Sequence, residues 1–319
     1  MKQSTLATGA ISRLRELRRL RAIPGAVPPV GLVVLGMLSV QIGAAFAKTL
    51  FPALGPYGTV FLRLLFAALI LMVWWRPRVR GHSRRDYLLV LVFGLVFAAM
   101  NSLFYAALDR LPLGIAVTVE FVGPLGVAVF GSRRLLDLLW AALAAGGIVL
   151  LTPLTGVSAV QIDPLGLALA LLAGLCWAAY ILISVRVGRS FPGGTGLALG
   201  MAVGAVLAAP LGIWQGGQNL LEWPLLATAA AVALLSSVIP YSFELEALRK
   251  LPARVFGVLM SVEPAIAAVV GFIVLGEALG ERELVAIGLI TAASIGATRF
   301  RAERQGTSGA AVEEAEISP

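Results

Sequence analysis

One cysteine and one histidine in 319 residues close off much of side-chain chemistry. Cys176 has no second thiol to pair with inside the chain, and no Cys/His set exists to hold zinc. A Ser-His-Asp triad needs a buried, oriented imidazole. His82 instead falls in the arginine-rich stretch RPRVRGHSRRD and reads as a solvated loop residue. Charge is scarce too, at 13% of residues, against about 25% in ordinary globular chains. Outside the two tails no polar stretch is long enough for a soluble domain, and no glycine-rich phosphate loop stands out. These shortages speak against an enzyme, with only a paired-carboxylate site left open. No catalytic residue, metal site or cofactor is expected.

Apolar length is what the chain has. It is 59% hydrophobic, with a mean hydropathy of +0.93. Runs of about 20 apolar residues cross a bilayer as helices. Ten are predicted: 30–50, 57–75, 86–108, 113–131, 135–152, 164–185, 195–214, 224–248, 253–275 and 283–299. Breakers mark the seams, among them Pro52, Gly55 and Pro56, and Pro192-Gly193-Gly194. Pro112 and Pro252 sit just inside new helices, where a missing N–H costs nothing. With the N-terminus inside, cytoplasmic segments hold 21 of the 25 basic residues, as the positive-inside rule requires. The +8 charge is therefore topological, and no nucleic-acid partner is expected. Residues 1–29 read as a basic cytoplasmic segment before a retained first span, and 300–319 as a disordered cytoplasmic tail. The predicted protein is multi-pass in the inner (plasma) membrane, with the lipid bilayer as a partner and both termini cytoplasmic.

The chain also contains one unit twice. Asn101–Gly131, NSLFYAALDRLPLGIAVTVEFVGPLGVAVFG, returns as Tyr241–Gly271, YSFELEALRKLPARVFGVLMSVEPAIAAVVG, at a constant offset of 140. Leu111-Pro112 meets Leu251-Pro252, and Pro124 meets Pro264. Five spans per unit is an odd number, so the second copy enters the membrane upside down. The predicted fold class is all-α integral membrane: ten transmembrane helices as two inverted five-helix repeats, 30–152 and 164–299.

This pattern resembles the EamA-type members of the drug/metabolite transporter superfamily. The segment SSVIPYSFELEALRKLPARVFGVLMSVEPAIAAVVGFIVLGEAL (236–279) carries the likeness most clearly, with VEFVGPLGVAVFGSRR (119–134) in the first copy. The similarity spans about residues 30–300 and is strongest to members that export threonine and homoserine. It implies proton-coupled or facilitated efflux of a small amino acid across the cytoplasmic membrane. Another metabolite or a drug as cargo stays open.

A charge at a helix centre costs at least about 2.5–3.5 kcal/mol, so it needs a partner or a water-filled cavity. At about 1.5 Å per residue, Arg63, Asn101 and Glu120 each lie about 9–10 Å in from the outer ends of their spans. One shared layer on three helices of one repeat is a candidate substrate site. A structural Arg63–Glu120 bond is the alternative. Pro124, four residues after Glu120, removes the donor to the Glu120 carbonyl. Carboxylate and freed carbonyl together suit an ammonium group or a proton. Glu263 lies beside Pro264 near mid-depth of the inverted copy. Trp177 and Tyr180, inside span six, either line the cavity or pack against a neighbour. The expected substrate-binding set is thus Arg63, Asn101, Glu120, Trp177, Tyr180 and Glu263. Lys48 is expected to snorkel to the headgroups, and Asp109-Arg110 to form a solvated pair.

Overall fold

The computed structural model describes residues 27–77, 81–129, 135–151, 162–191, 193–248, 250–251, 256 and 259–296. The basic N-terminal segment, the acidic tail and the arginine cluster at 133–134 lie outside these residues. Every regular element among those described is helical. In chain order they are α1 Pro29–Thr49, α2 Phe51–Trp75, α3 Arg84–Leu108, α4 Leu113–Glu120, α5 Val122–Val129, α6 Leu135–Leu151, α7 Pro164–Ser190, α8 Thr195–Gly216, α9 Trp223–Ala233, α10 Ile239–Leu248 and α11 Glu263–Leu275. A further helix, α12, covers 281–296. A 3-10 turn, Gly217–Leu221, follows α8, and a π turn, Leu234–Val238, joins α9 to α10. Among the described residues six stretches are long and apolar enough to cross a membrane, and the protein is an all-helical membrane protein.

Local chemistry sets the helix ends. Ser83 and Asp86 close a capping box at the start of α3: Ser83 N–H donates to Asp86 Oδ2 at 3.0 Å, and Asp86 N–H donates to Ser83 Oγ at 3.3 Å. Asp163 caps α7 by accepting from Leu165 N–H at 2.9 Å. One seam differs from expectation. The helix resumes at Phe51 rather than at residue 57, because Pro52 occupies its first turn, where no N–H is needed. The chain bends instead at Gly55, whose φ of 66° is open to glycine, just before Pro56.

Side chains are distributed as in lipid. Leu69, Val73, Leu175, Val206 and Phe272 point outward, while small residues line the helix crossings. A Cβ on Gly114 of α4 would lie 2.7 Å from Ala268 Cα of α11. One on Gly147 of α6 would lie 2.7 Å from Ile290 Cγ1 of α12. Lipid tails give helices no hydrophobic reason to associate, so close van der Waals approach through small residues is what holds them.

The pairing of helices follows a pattern. α2 packs on α8, α4 on α11, and α6 on α12. α3 packs on α7, and α1 on α9, the π turn and α10. α4 and α5 also pack on α7, as α11 does on α1. Exchanging residues before 152 with those after 162 maps this set of pairs onto itself. The breaks match as well. Phe121 separates α4 from α5, and Ser261-Val262 precedes α11, at the same offset of 140. In each case a proline three residues on, Pro124 or Pro264, cannot donate to the carbonyl four positions back.

Candidate substrate site in the membrane core

Arg63 lies midway along α2 and is only 6% exposed. Its guanidinium donates through Nη2 to Asn101 Oδ1 of α3, and through Nη1 to Ser236 Oγ of the π turn at 3.3 Å. Its Cζ stands 4.9 Å from the centre of the Tyr105 ring, a cation–π contact in the core. Asn101 is used at both ends, since its Nδ2 donates to Phe97 O at 2.7 Å. It therefore holds Arg63 in place.

The π turn has a local cause. Pro240 has no N–H for the Ser236 carbonyl. The chain widens by one residue, and Ile239 N–H reaches back five positions to Leu234 O. Such bulges recur at functional sites. This one docks on α1, where Ser39 Oγ donates to Leu235 O at 2.6 Å and Gly43 leaves room for Ser236.

Two of the three same-layer residues are thus joined directly, and the third is not. Glu120, at the end of α4 and 8% exposed, makes no ion pair with Arg63. The two lie near enough to act on each other electrostatically. A bundle-locking Arg63–Glu120 bond is not the geometry found. Arg63 Nε is buried without a hydrogen-bond partner among the described residues. A permanently charged fork is held at its tips with its Nε–H unused.

Glu263, at the first position of α11 and 6% exposed, acts electrostatically on Glu120. It accepts from Gln41 Nε2 of α1 at 2.9 Å. The freed Glu120 carbonyl is covered rather than open, because a Cβ on Gly174 of α7 would lie 2.5 Å from that oxygen. Only the carboxylate is left to meet a ligand. Trp177 packs edge-on against Phe121, the residue after Glu120, with centroids 5.1 Å apart. Tyr180 stacks on Phe93 at 5.2 Å and touches Phe97 at 5.6 Å. Tyr241 and Glu244 of α10 adjoin Tyr180 electrostatically.

Sequence reasoning missed Gln41, Ser236 and Tyr105. Gln41 carries the strongest polar side chain before Lys48 in α1, and Ser236 precedes a helix proline by four residues. Both signals were present in the sequence.

A second polar cluster lies at the C-terminal end of α1. Lys48 Nζ pairs with Glu277 Oε1 at 2.6 Å and donates to Leu111 O at 2.9 Å. Glu277 Oε2 accepts from Leu113 N–H, the start of α4, at 2.7 Å. Lys48 thus turns inward to a partner in the other half of the chain rather than to headgroups. Arg110 pairs with Asp163 at 2.8 Å across the loops, not with its neighbour Asp109. That contact holds the Asp163 carboxyl below its ordinary range, chiefly through the hydrogen bond from Arg110.

Known proteins resemble this chain along most of its length. Residues 28–152 and 164–299 each match the EamA-like transporter family. The threonine/homoserine exporter RhtA of Escherichia coli strain K12 is 45% identical over 270 residues, covering 85% of this chain and 91% of that protein. RhtA of Salmonella typhimurium strain SL1344 is 44% identical over the same share of each chain. A crystal structure at 18% identity has a TM-score of 0.57, covering 85% of this chain and 98% of its own, which shows a common fold.

Proposed function

Because this chain belongs to the EamA-like transporter family, we propose that it exports threonine, homoserine or a similar small amino acid by alternating access, coupled to protons. The observation that carries the reading is Arg63: a buried, permanent cation with a free N–H and no acidic partner among the described residues. A planar guanidinium suits a carboxylate in two-point contact. Glu120 supplies the opposite charge without consuming the cation, and takes the substrate ammonium or a proton. Carboxylate and ammonium of a zwitterion then fall on separate helices, α2 and α4. Asn101 and Ser236 keep the fork aimed, Glu263 adds a second acid, and Trp177 and Tyr180 close the aromatic side.

The architecture we propose is ten spans in two inverted five-helix units, 30–152 and 164–299, with both termini cytoplasmic. The exchange symmetry of the helix pairs supports it, as do the matched breaks at 121 and 261. Discontinuous helices at equivalent places in two repeats commonly flank a transporter's midplane site.

The test is efflux of labelled threonine and homoserine from loaded proteoliposomes, with and without a pH gradient. The parent should move both, faster with the gradient. Glu120→Gln should fold and lose the gradient's effect, because an amide keeps the shape but cannot carry the proton. No efflux of either amino acid by the parent refutes the reading.

A further inference from the structure

We propose that Gln41 and Glu263 form a hydroxyl-recognising subsite that sets the specificity of this transporter. The inference rests on the amino-acid reading above, with the substrate carboxylate at Arg63 and its ammonium at Glu120.

The argument starts from what the pair lacks. Gln41 is 3% exposed and Glu263 is 6% exposed. One hydrogen bond joins them, Gln41 Nε2 to Glu263 Oε1 at 2.9 Å. Their two other oxygens, Gln41 Oε1 and Glu263 Oε2, are buried without a partner among the described residues. Both are acceptors, so the missing group is a donor. Buried polar atoms are nearly always satisfied, and two orphans of one kind on a single bonded pair mark a place where something else donates.

The surroundings narrow the donor. Glu263 stands at the break before α11, and α11 packs on α4 through the close approach of Gly114 and Ala268. From that crossing Glu120 lies six residues along α4 and Glu263 five back along α11. The two antiparallel helices therefore bring both acids to about the same depth, roughly 8–9 Å from the crossing. Glu263 is close enough to act on Glu120 electrostatically. On the other face of α1, Ser39 and Gly43 dock on the π turn that carries Ser236, a partner of Arg63. The pair thus borders the zwitterion site without touching Arg63. Besides its ammonium, a small hydroxy amino acid seated there has one donor, the hydroxyl of its side chain. A hydroxyl donates its one proton to one of these two acceptors, the amide oxygen or the carboxylate.

Such a subsite discriminates strongly, because an analogue without the hydroxyl leaves the buried acceptors unpaired. The decisive ligand is 2-aminobutyrate, which is both threonine and homoserine without the hydroxyl and keeps carboxylate and ammonium. Binding of threonine and of 2-aminobutyrate to the purified full chain is measured by equilibrium dialysis. Thermal unfolding of each variant in the same detergent checks folding. The parent should prefer threonine on the order of a hundredfold or more. Gln41→Leu should bring that ratio close to one by weakening threonine alone, and Gln41→Met, which better keeps the side chain's length, should do the same.

A parent that binds both ligands equally well overturns the subsite without any variant. So does an unchanged ratio in a folded Gln41 variant. A parallel loss of both ligands also overturns it, since Gln41 would then serve the ammonium or the fold. A parent that binds neither ligand overturns the amino-acid reading, and this inference with it.

Discussion

Two polar clusters cross between the halves of this protein, and they differ in completeness. At the C-terminal end of α1, Lys48 and Glu277 are joined by an ion pair and also bond the Leu111 carbonyl and the Leu113 N–H. In the core, Arg63 Nε, Gln41 Oε1, Glu263 Oε2 and Ser237 Oγ are buried and unpaired among the described residues. A buried polar atom without a partner costs about 1–3 kcal/mol. A complete cluster repays its desolvation and acts as a fastener. An incomplete one is tolerated where a ligand supplies the missing groups. On the proposed function, the same residue types hold the bundle at one depth and meet a substrate at another.

The sharpest way to break this contrast is Arg63→Lys. The charge is kept, but the fork is lost, and a compact ammonium cannot span Asn101, Ser236 and a carboxylate together. Threonine efflux from proteoliposomes should fall by about a hundredfold or more, some 3 kcal/mol, while thermal unfolding shifts little. Transport at the parental rate would mean that the core cluster is only structural.

How much of this was legible beforehand depends on whether a residue's role is local. Spans and the 140-residue echo follow from apolar length and breakers, and among the described residues the helices follow the predicted runs closely except at Phe51, where the second begins before its expected start. Depth along a helix was legible for Arg63 and Asn101, which the structure joins directly. Direction around the helix was not. Asn101 grips Arg63, whereas Glu120 stands apart from it, and that distinction depends on how α2, α3 and α4 are rotated. Lys48 was misjudged for a related reason. Its own span shows only that it is near an end, while its partner Glu277 is 229 residues away. The Glu120 carbonyl looked free because Pro124 is local, and the Gly174 backbone that covers it is not.

The Lys48–Glu277 cluster can be tested from the other side of the comparison. Lys48→Met removes the ion pair and leaves Glu277 with a half-buried charge. Stability should fall by about 1–3 kcal/mol, read as an earlier thermal midpoint in detergent. Threonine binding to the folded protein should persist. The double variant Lys48→Met with Glu277→Gln should recover part of the loss, because it leaves no unpaired charge. A fastener predicts that pattern. If Lys48→Met abolished binding and left stability intact, the division into fastener and site would fail.

The smallest effect belongs to the third pair, Arg110 and Asp163, which is complete but solvated. Its side chains are 42% and 33% exposed, and such pairs contribute little. Asp163 also caps α7, so two roles must be separated. Asp163→Asn keeps an N-cap acceptor and loses the charge, whereas Asp163→Ala loses both. The alanine variant should therefore lower the thermal midpoint more than the asparagine one. The sign of the pH dependence follows from the ion pair. Asp163 titrates lower in the folded protein than its ordinary 3.8 because Arg110 favours the charged form. The pair's contribution is then fully present above the ordinary carboxylate range. It is lost as pH falls through the lowered folded value. Thermal midpoints of the parent and Asp163→Asn should differ slightly at pH 7 and converge in strong acid. The absence of a gap at pH 7 would show that Asp163 stabilises through its cap rather than its charge.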